Sequence, residues 1–176
     1  MGRSALVVLV PEAEPLVAGL RAVHDHMARL GVPAHVTALH PFRETLDDPA
    51  ASTIESICAS TPAFDATFAA VHRFDDGIVV YLAPTPADPF VDLTRRLAAA
   101  FPDCPPYGGA HADPVPHLTV ASRASPMTAA ELEPILSAGL PIEVRVDRLT
   151  RLVEDDAGRW SLDRSWPLGR PGPVAP

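Results

Sequence analysis

At 176 residues and 47% hydrophobic composition, the chain is long enough for one domain with a sizeable core, or for two small lobes sharing one. Its net charge of −8 excludes the broad basic surface that holds a long nucleic acid by its phosphates. All 14 basic residues are arginine, which excludes a lysine nucleophile or Schiff base but leaves room for a local arginine-lined cleft around a small anion. Cys58 and Cys104 match no metal-ligand or disulfide spacing and suit a reducing cytoplasm. The apolar run at residues 5–10 is too short for a signal segment, and no stretch has membrane-spanning length. A soluble cytoplasmic protein is expected.

In chain order, residues 5–10 form a continuous apolar run that predicts a buried central strand. Pro15 opens a predicted helix with Leu16, Leu20, Val23, Met27 and Leu30 on one face. Gly31 closes it and Pro33 prevents its restart. His24 and His26 fall off that stripe, which predicts a solvated position for both. Residues 33–42 read as a strand, Pro-Ala-His-Val-Thr-Ala-Leu-His-Pro-Phe. His35 and Thr37 share one face of it and Val36 points the other way. Ile54, Ile57 and Cys58 mark a second helix, with Cys58 as inert core. Residues 64–74 alternate as a strand, Asp75-Asp76-Gly77 signals a hairpin turn, and residues 78–82 return.

The second half follows a similar plan. Asp88-Pro89 reads as a cap and first helical position, with Phe90, Leu93, Leu97 and Phe101 along one face. A Pro- and Gly-rich loop over residues 102–116 leads to His117-Leu118-Thr119-Val120-Ala121, a second strand with a histidine and a threonine on one face. Thr128 to Glu131 is a capping box for a helix bearing Leu132, Ile135 and Leu136. Residues 142–153 read as one strand, Asp155-Asp156-Ala157-Gly158 as a turn, and residues 160–166 as the returning strand, with Trp160 and Trp166 as hairpin packing. Residues 170–176 form a frayed tail. The offset between the two histidines nearly equals that between the hairpins that follow them, which indicates a duplicated layout. One domain over residues 1–169 is expected, with lobes at roughly 1–86 and 87–169 that are free to exchange strands. A pseudo-twofold axis would bring the two histidines together.

The spaced pair His35-Val36-Thr37 and His117-Leu118-Thr119 carries a family resemblance. Supporting it are Pro33-Ala34 and Pro41-Phe42 around the first motif, Pro116 before the second, and Gly158-Arg159-Trp160 with Pro167-Leu168-Gly169 near the end. On these residues the chain resembles the two-histidine (2H) phosphoesterase superfamily, which includes bacterial RNA 2′,3′-cyclic phosphodiesterases often labelled 2′-5′ RNA ligases. The resemblance implies an α+β fold, bilobal and pseudo-twofold, with antiparallel sheets lining a central cleft and helices packed outside. It also implies phosphoester chemistry with neither metal nor cofactor. His40 departs from the aromatic or apolar residue that relatives often carry, and His111 is an extra histidine in the loop before the second motif.

Opening a cyclic phosphodiester needs a base on the attacking water and an acid on the leaving oxygen, and two imidazoles can supply both. Thr37 and Thr119 would donate hydrogen bonds to the non-bridging oxygens. By analogy with the family, His35 is the expected acid and His117 the expected base. Arg43 and Arg123, each just beyond a motif, are candidate phosphate contacts, and Tyr107 and Phe42 candidate stacking partners for a base. For both aromatics, core packing or loop anchoring is the competing reading. His40 belongs on the opposite face from His35 unless a bulge intervenes. The bland alternative makes His35 and His117 core histidines satisfied by backbone carbonyls. Three functional alternatives stand beside the hydrolase: a 2′-5′ RNA ligase, which runs the chemistry in reverse; a metal-dependent hydrolase built on His35, His111, Asp113 and His117; and a non-catalytic binder of a phosphorylated nucleotide or metabolite. The expected partner is a small nucleotide or RNA end, met by a monomer away from any membrane.

Overall fold

Short turns and alternating polarity divide the chain into the strands and helices of an α+β fold. The computed structural model describes residues 3–74, 79–110, 115–122, 127 and 129–169. In order, the elements are β1 (Ser4–Leu9), α1 (Glu14–His24), α2 (His26–Arg29), β2 (His35–Phe42), α3 (Asp48–Ala59), β3 (Phe64–Arg73), β4 (Val80–Thr85), α4 (Asp88–Ala100), β5 (Leu118–Ala121), α5 (Ala129–Ser137), β6 (Ile142–Val146), β7 (Arg148–Glu154) and β8 (Trp160–Pro167). The turn predicted at Asp75-Asp76-Gly77, the capping residue Thr128 and the tail at 170–176 lie outside the described residues.

Two four-stranded sheets result, ordered β2-β1-β7-β8 and β5-β4-β3-β6, with every neighbouring pair antiparallel. Each sheet takes two strands from each half of the chain. After α3 the chain crosses to lay β3 beside β4, and β7 crosses back to lie beside β1. The two histidine-threonine strands therefore occupy equivalent edges of the two sheets, where β2 and β5 touch. One main core joins Leu6, Val36 and Leu149 of the first sheet to Phe68, Leu82 and Leu118 of the second, closed by helical side chains such as Ile54, Leu93 and Leu132. Each fully buried Leu or Phe contributes about 1.5–3 kcal/mol relative to exposure. A second, smaller cluster of Ala5, Val7, Val32, Leu152 and Trp160 lies on the opposite face of the first sheet.

Around α1 and α2, three expectations are corrected. The single helix predicted up to Leu30 is broken at Asp25, whose extended backbone (φ −123°, ψ 113°) ends α1 and whose carboxylate accepts from the Met27 amide at 3.1 Å to cap α2. Its buried face is also rotated: Val17, Arg21 and His24 are inside, while Val23 is 54% exposed. Arg21 tolerates burial because Asp25 neutralises it at 2.8 Å, and hydrophobic periodicity cannot register a paired charge. His24, expected in solvent, is buried where α1 meets β5, and its carbonyl accepts from the Ser122 amide at 2.9 Å; His26 is exposed.

The strand read over 142–153 is two strands, because the chain leaves one sheet for the other at Asp147. Ile135 is exposed rather than core, and α4 has no side-chain cap at its start. Cys58 and Cys104 are buried free thiols, and burial raises the Cys58 thiol to about 12. Among the described residues no helix is long and apolar enough to cross a membrane.

Candidate active site

The first motif sits on β2, where register decides which side chains share a face. Val7 opposes Thr37 and Leu9 opposes His35, so these four point away from the main core, while Val36 points into it. Leu6 opposes Leu39 rather than Ala38, and Ser4 opposes Phe42, so β2 carries two extra residues between Thr37 and Phe42. Such bulges re-aim the strand beyond them. They bring His40 to the same cleft wall as His35 and Thr37. The second motif is built the same way on β5: Leu118 and Val120 enter the core, while Thr119, opposite Tyr81, and His117 remain half-exposed on the other face.

Both imidazoles are held by the same device. His35 Nδ1 lies 2.7 Å from the Pro33 carbonyl and His117 Nδ1 lies 2.7 Å from the Val115 carbonyl, in each case two residues upstream. A carbonyl only accepts, so each Nδ1 carries the proton and donates, which makes Nε2 the nitrogen that can gain or lose a proton. Backbone carbonyls thus do satisfy both rings, yet they occupy only one nitrogen of each.

Tyr107 bridges the two motifs. It lies in a 3-10 turn (Pro106–Gly109) with its backbone in the left-handed region at φ 51°. Its hydroxyl is hydrogen-bonded to Thr37, its ring is stacked on His117 at 6.4 Å between centroids, and burial raises its phenol above the ordinary value. Phe74 and Tyr81 complete the surroundings of His117, with centroids at 5.1 and 5.5 Å. Burial, the largest influence, lowers His35 to about 4; the Pro33 carbonyl opposes this, and repulsion from Arg21 and His117 assists it. His35 is therefore neutral at pH 7.

The other candidates separate. Phe42 is buried in the main core and meets Phe101 edge-on at 5.1 Å, so it presents no face to a ligand. Arg43 is bound through two of its nitrogens to Asp103 at 2.9 Å and lies over Phe101, committed to an ion pair rather than to the cleft. Arg123, His111 and Asp113 lie outside the described residues, among which no group of three or more potential metal ligands occurs.

Reasoning from the sequence missed two features. The buried Arg21–Asp25 pair acts electrostatically on His35, and its only sequence trace is the i,i+4 spacing. Trp160 is the other. A bulge in β8, where Leu152 opposes Leu162 directly after Arg151 opposes Arg164, puts Trp166 in the main core but Trp160 on the cleft face beside His40.

The model of the 2′-5′ RNA ligase superfamily matches residues 9–158. The fold is shared with solved structures over nearly their whole length. LigT of E. coli complexed with NADP+ is 17% identical (TM-score 0.61, covering 95% of this chain and 97% of that one). LigT complexed with 3′-AMP is 19% identical (TM-score 0.59, 96% and 98%). The TT0787 protein of Thermus thermophilus is 18% identical (TM-score 0.65, 96% and 100%). No curated protein sequence matches this chain. With the family match spanning most of the sequence and both motifs within it, the chain belongs to the 2′-5′ RNA ligase superfamily, the two-histidine phosphoesterases.

Proposed function

We propose that the chain is a metal-independent phosphodiesterase that hydrolyses a 2′,3′-cyclic phosphate or a related small nucleotide phosphodiester. The observation that carries this reading is the matched pair of imidazoles, each with Nδ1 tied to a backbone carbonyl so that Nε2 is the proton-transfer nitrogen, accompanied by Thr37 and Thr119 on the same faces. In the reaction, one Nε2 takes a proton from water as its oxygen bonds to phosphorus. The other gives a proton to the ester oxygen as its bond to phosphorus breaks, and the threonine hydroxyls donate to the non-bridging oxygens.

The burial that keeps His35 neutral makes it the base, and His117 then serves as the acid. This reverses the assignment made by analogy from the sequence. Solved relatives bound to NADP+ and 3′-AMP support a small nucleotide as substrate. In this reading residues 1–169 act as one bilobal monomeric domain, and the two free thiols suit a reducing cytoplasm.

Replacing His35 or His117 by Ala is expected to lower kcat on 2′,3′-cyclic nucleotides by about 10²–10⁴-fold, with activity in chelator equal to that without it. Unchanged turnover in either variant overturns the assignment, and loss of activity in chelator favours the metal alternative. Joining of RNA ends without hydrolysis favours the ligase, and binding of a nucleoside monophosphate with no turnover favours the non-catalytic binder.

A further inference from the structure

Helix α1 is tied to both motif strands. Glu14 accepts from the Ala34 amide at 2.7 Å, and Arg21 lines one pocket with Pro33, whose carbonyl tethers His35. At the other end of the helix the His24 carbonyl accepts from the Ser122 amide at 2.9 Å, just past the end of β5. That second tie exists because α1 stops at His24. In a helix running through residue 25, the same carbonyl would accept from the Ala28 amide instead. The Asp25 carboxylate holds the break open, accepting from Arg21 at 2.8 Å and from the Met27 amide at 3.1 Å.

Both side chains of this pair are only 3% exposed, and Arg21 Nε has no hydrogen-bond partner among the described residues. Apolar side chains of similar volume are often as stable in such a place, so stability does not account for the pair. Its two charges act on the His35 ring in opposite senses, Arg21 favouring the neutral form and Asp25 the protonated one. His117, at the start of β5, acts in the same sense as Arg21. Of the other titratable groups nearby, Glu14 is bound to Ala34, Arg29 lines the pocket shared by Arg21 and Pro33, Tyr107 meets β2 at Thr37, and His40 lies further along β2.

We propose that Arg21 and Asp25 are positioning residues for the reaction: they end α1 where its last carbonyl can anchor β5 against β2, and they set a balanced pair of charges beside His35. The inference rests on the phosphodiesterase reading and extends it to two residues that do not meet the phosphate.

The test uses Arg21→Met, Asp25→Asn and the double variant Arg21→Met/Asp25→Leu, with 2′,3′-cyclic AMP as substrate. Misplacing one motif strand slows the chemical step, so kcat should fall about tenfold or more in all three while KM stays within about twofold. The His35 ring is followed separately by NMR titration of its C–H resonances. Arg21→Met leaves the carboxylate unbalanced and should move the His35 midpoint up by about one pH unit; Asp25→Asn leaves the guanidinium unbalanced and should move it down. With both charges gone, the double variant should titrate within about half a unit of the wild type. General loosening of the fold would hydrate His35 and move both single variants upward, so opposite movement separates the two accounts.

Movement in the same direction, or no movement in either single variant, overturns the proposal. If a single variant does not fold, the apolar double variant decides, and wild-type kcat there overturns it too. Should the wild type hydrolyse no cyclic diester while the His35 midpoint still moves in opposite directions, the pair keeps its place beside His35 and the phosphodiesterase reading falls.

Discussion

At the scale of single residues, the two histidines have the same tether but different surroundings. His35 is desolvated and beside a buried ion pair, whereas His117 is ringed by Tyr107, Phe74 and Tyr81. In the proposed reading, identical chemistry in unequal environments divides acid from base. Tyr107 adds a constraint, because its hydroxyl already occupies Thr37. In the proposed reading, phosphate competes with Tyr107 for the Thr37 hydroxyl, a bond worth about 0.5–1.5 kcal/mol net. Tyr107→Phe is therefore expected to bind inorganic phosphate about 2- to 10-fold more tightly in a calorimetric titration. Unchanged or weaker binding would show that the phenol helps hold the anion instead.

At the scale of elements, the apolar pocket lined by Val7, Met27, Val32 and Trp160 beside His35 depends on how the end of α2 seats against β8. Gly31 has φ 98°, and a Cβ there would stand 2.7 Å from the Trp160 carbonyl oxygen, while the Trp160 amide donates to the Leu30 carbonyl at 2.7 Å. Both the left-handed backbone and the close approach require glycine. Gly31→Ala is expected to cost about 1–3 kcal/mol, visible as a lower Tm. A variant with wild-type Tm would contradict that account of the turn. The bulges of β2 act at the same scale, since without them His40 would face the core instead of the cleft wall it shares with His35.

At the scale of the whole molecule, the burial of His35 makes folding stability depend on pH. Folding lowers His35 from an ordinary value of 6.5 to about 4, so below pH 6.5 the unfolded chain takes up a proton that the folded chain refuses until about pH 4. Stability from this group is complete above pH 6.5 and is lost as pH falls through that window, by up to roughly 3 kcal/mol. Denaturant unfolding at pH 5 and pH 7 should show the difference, and His35→Ala should reduce it. An equal slope in wild type and variant would place the pH dependence elsewhere.

The sequence alone determined the α+β class, the central strand β1, the cores of α3 and α4, and the His-x-Thr pair as the place to look. Each of these is local: a period of two or 3.6, or a tripeptide whose side chains share a face by strand geometry. Tertiary structure decided what depends on register and pairing. Asp25 breaks a helix because Arg21 is its buried partner, and the strand at 142–146 ends because the second sheet is left at Asp147. His40 and Trp160 reach the cleft because bulges shift parity on β2 and β8, whereas Phe42 and Arg43 are drawn into contacts with Phe101 and Asp103. One inserted residue reverses every side chain beyond it, and a charge is burial-compatible only when its partner is present, so neither outcome is written in the periodicity of the segment itself.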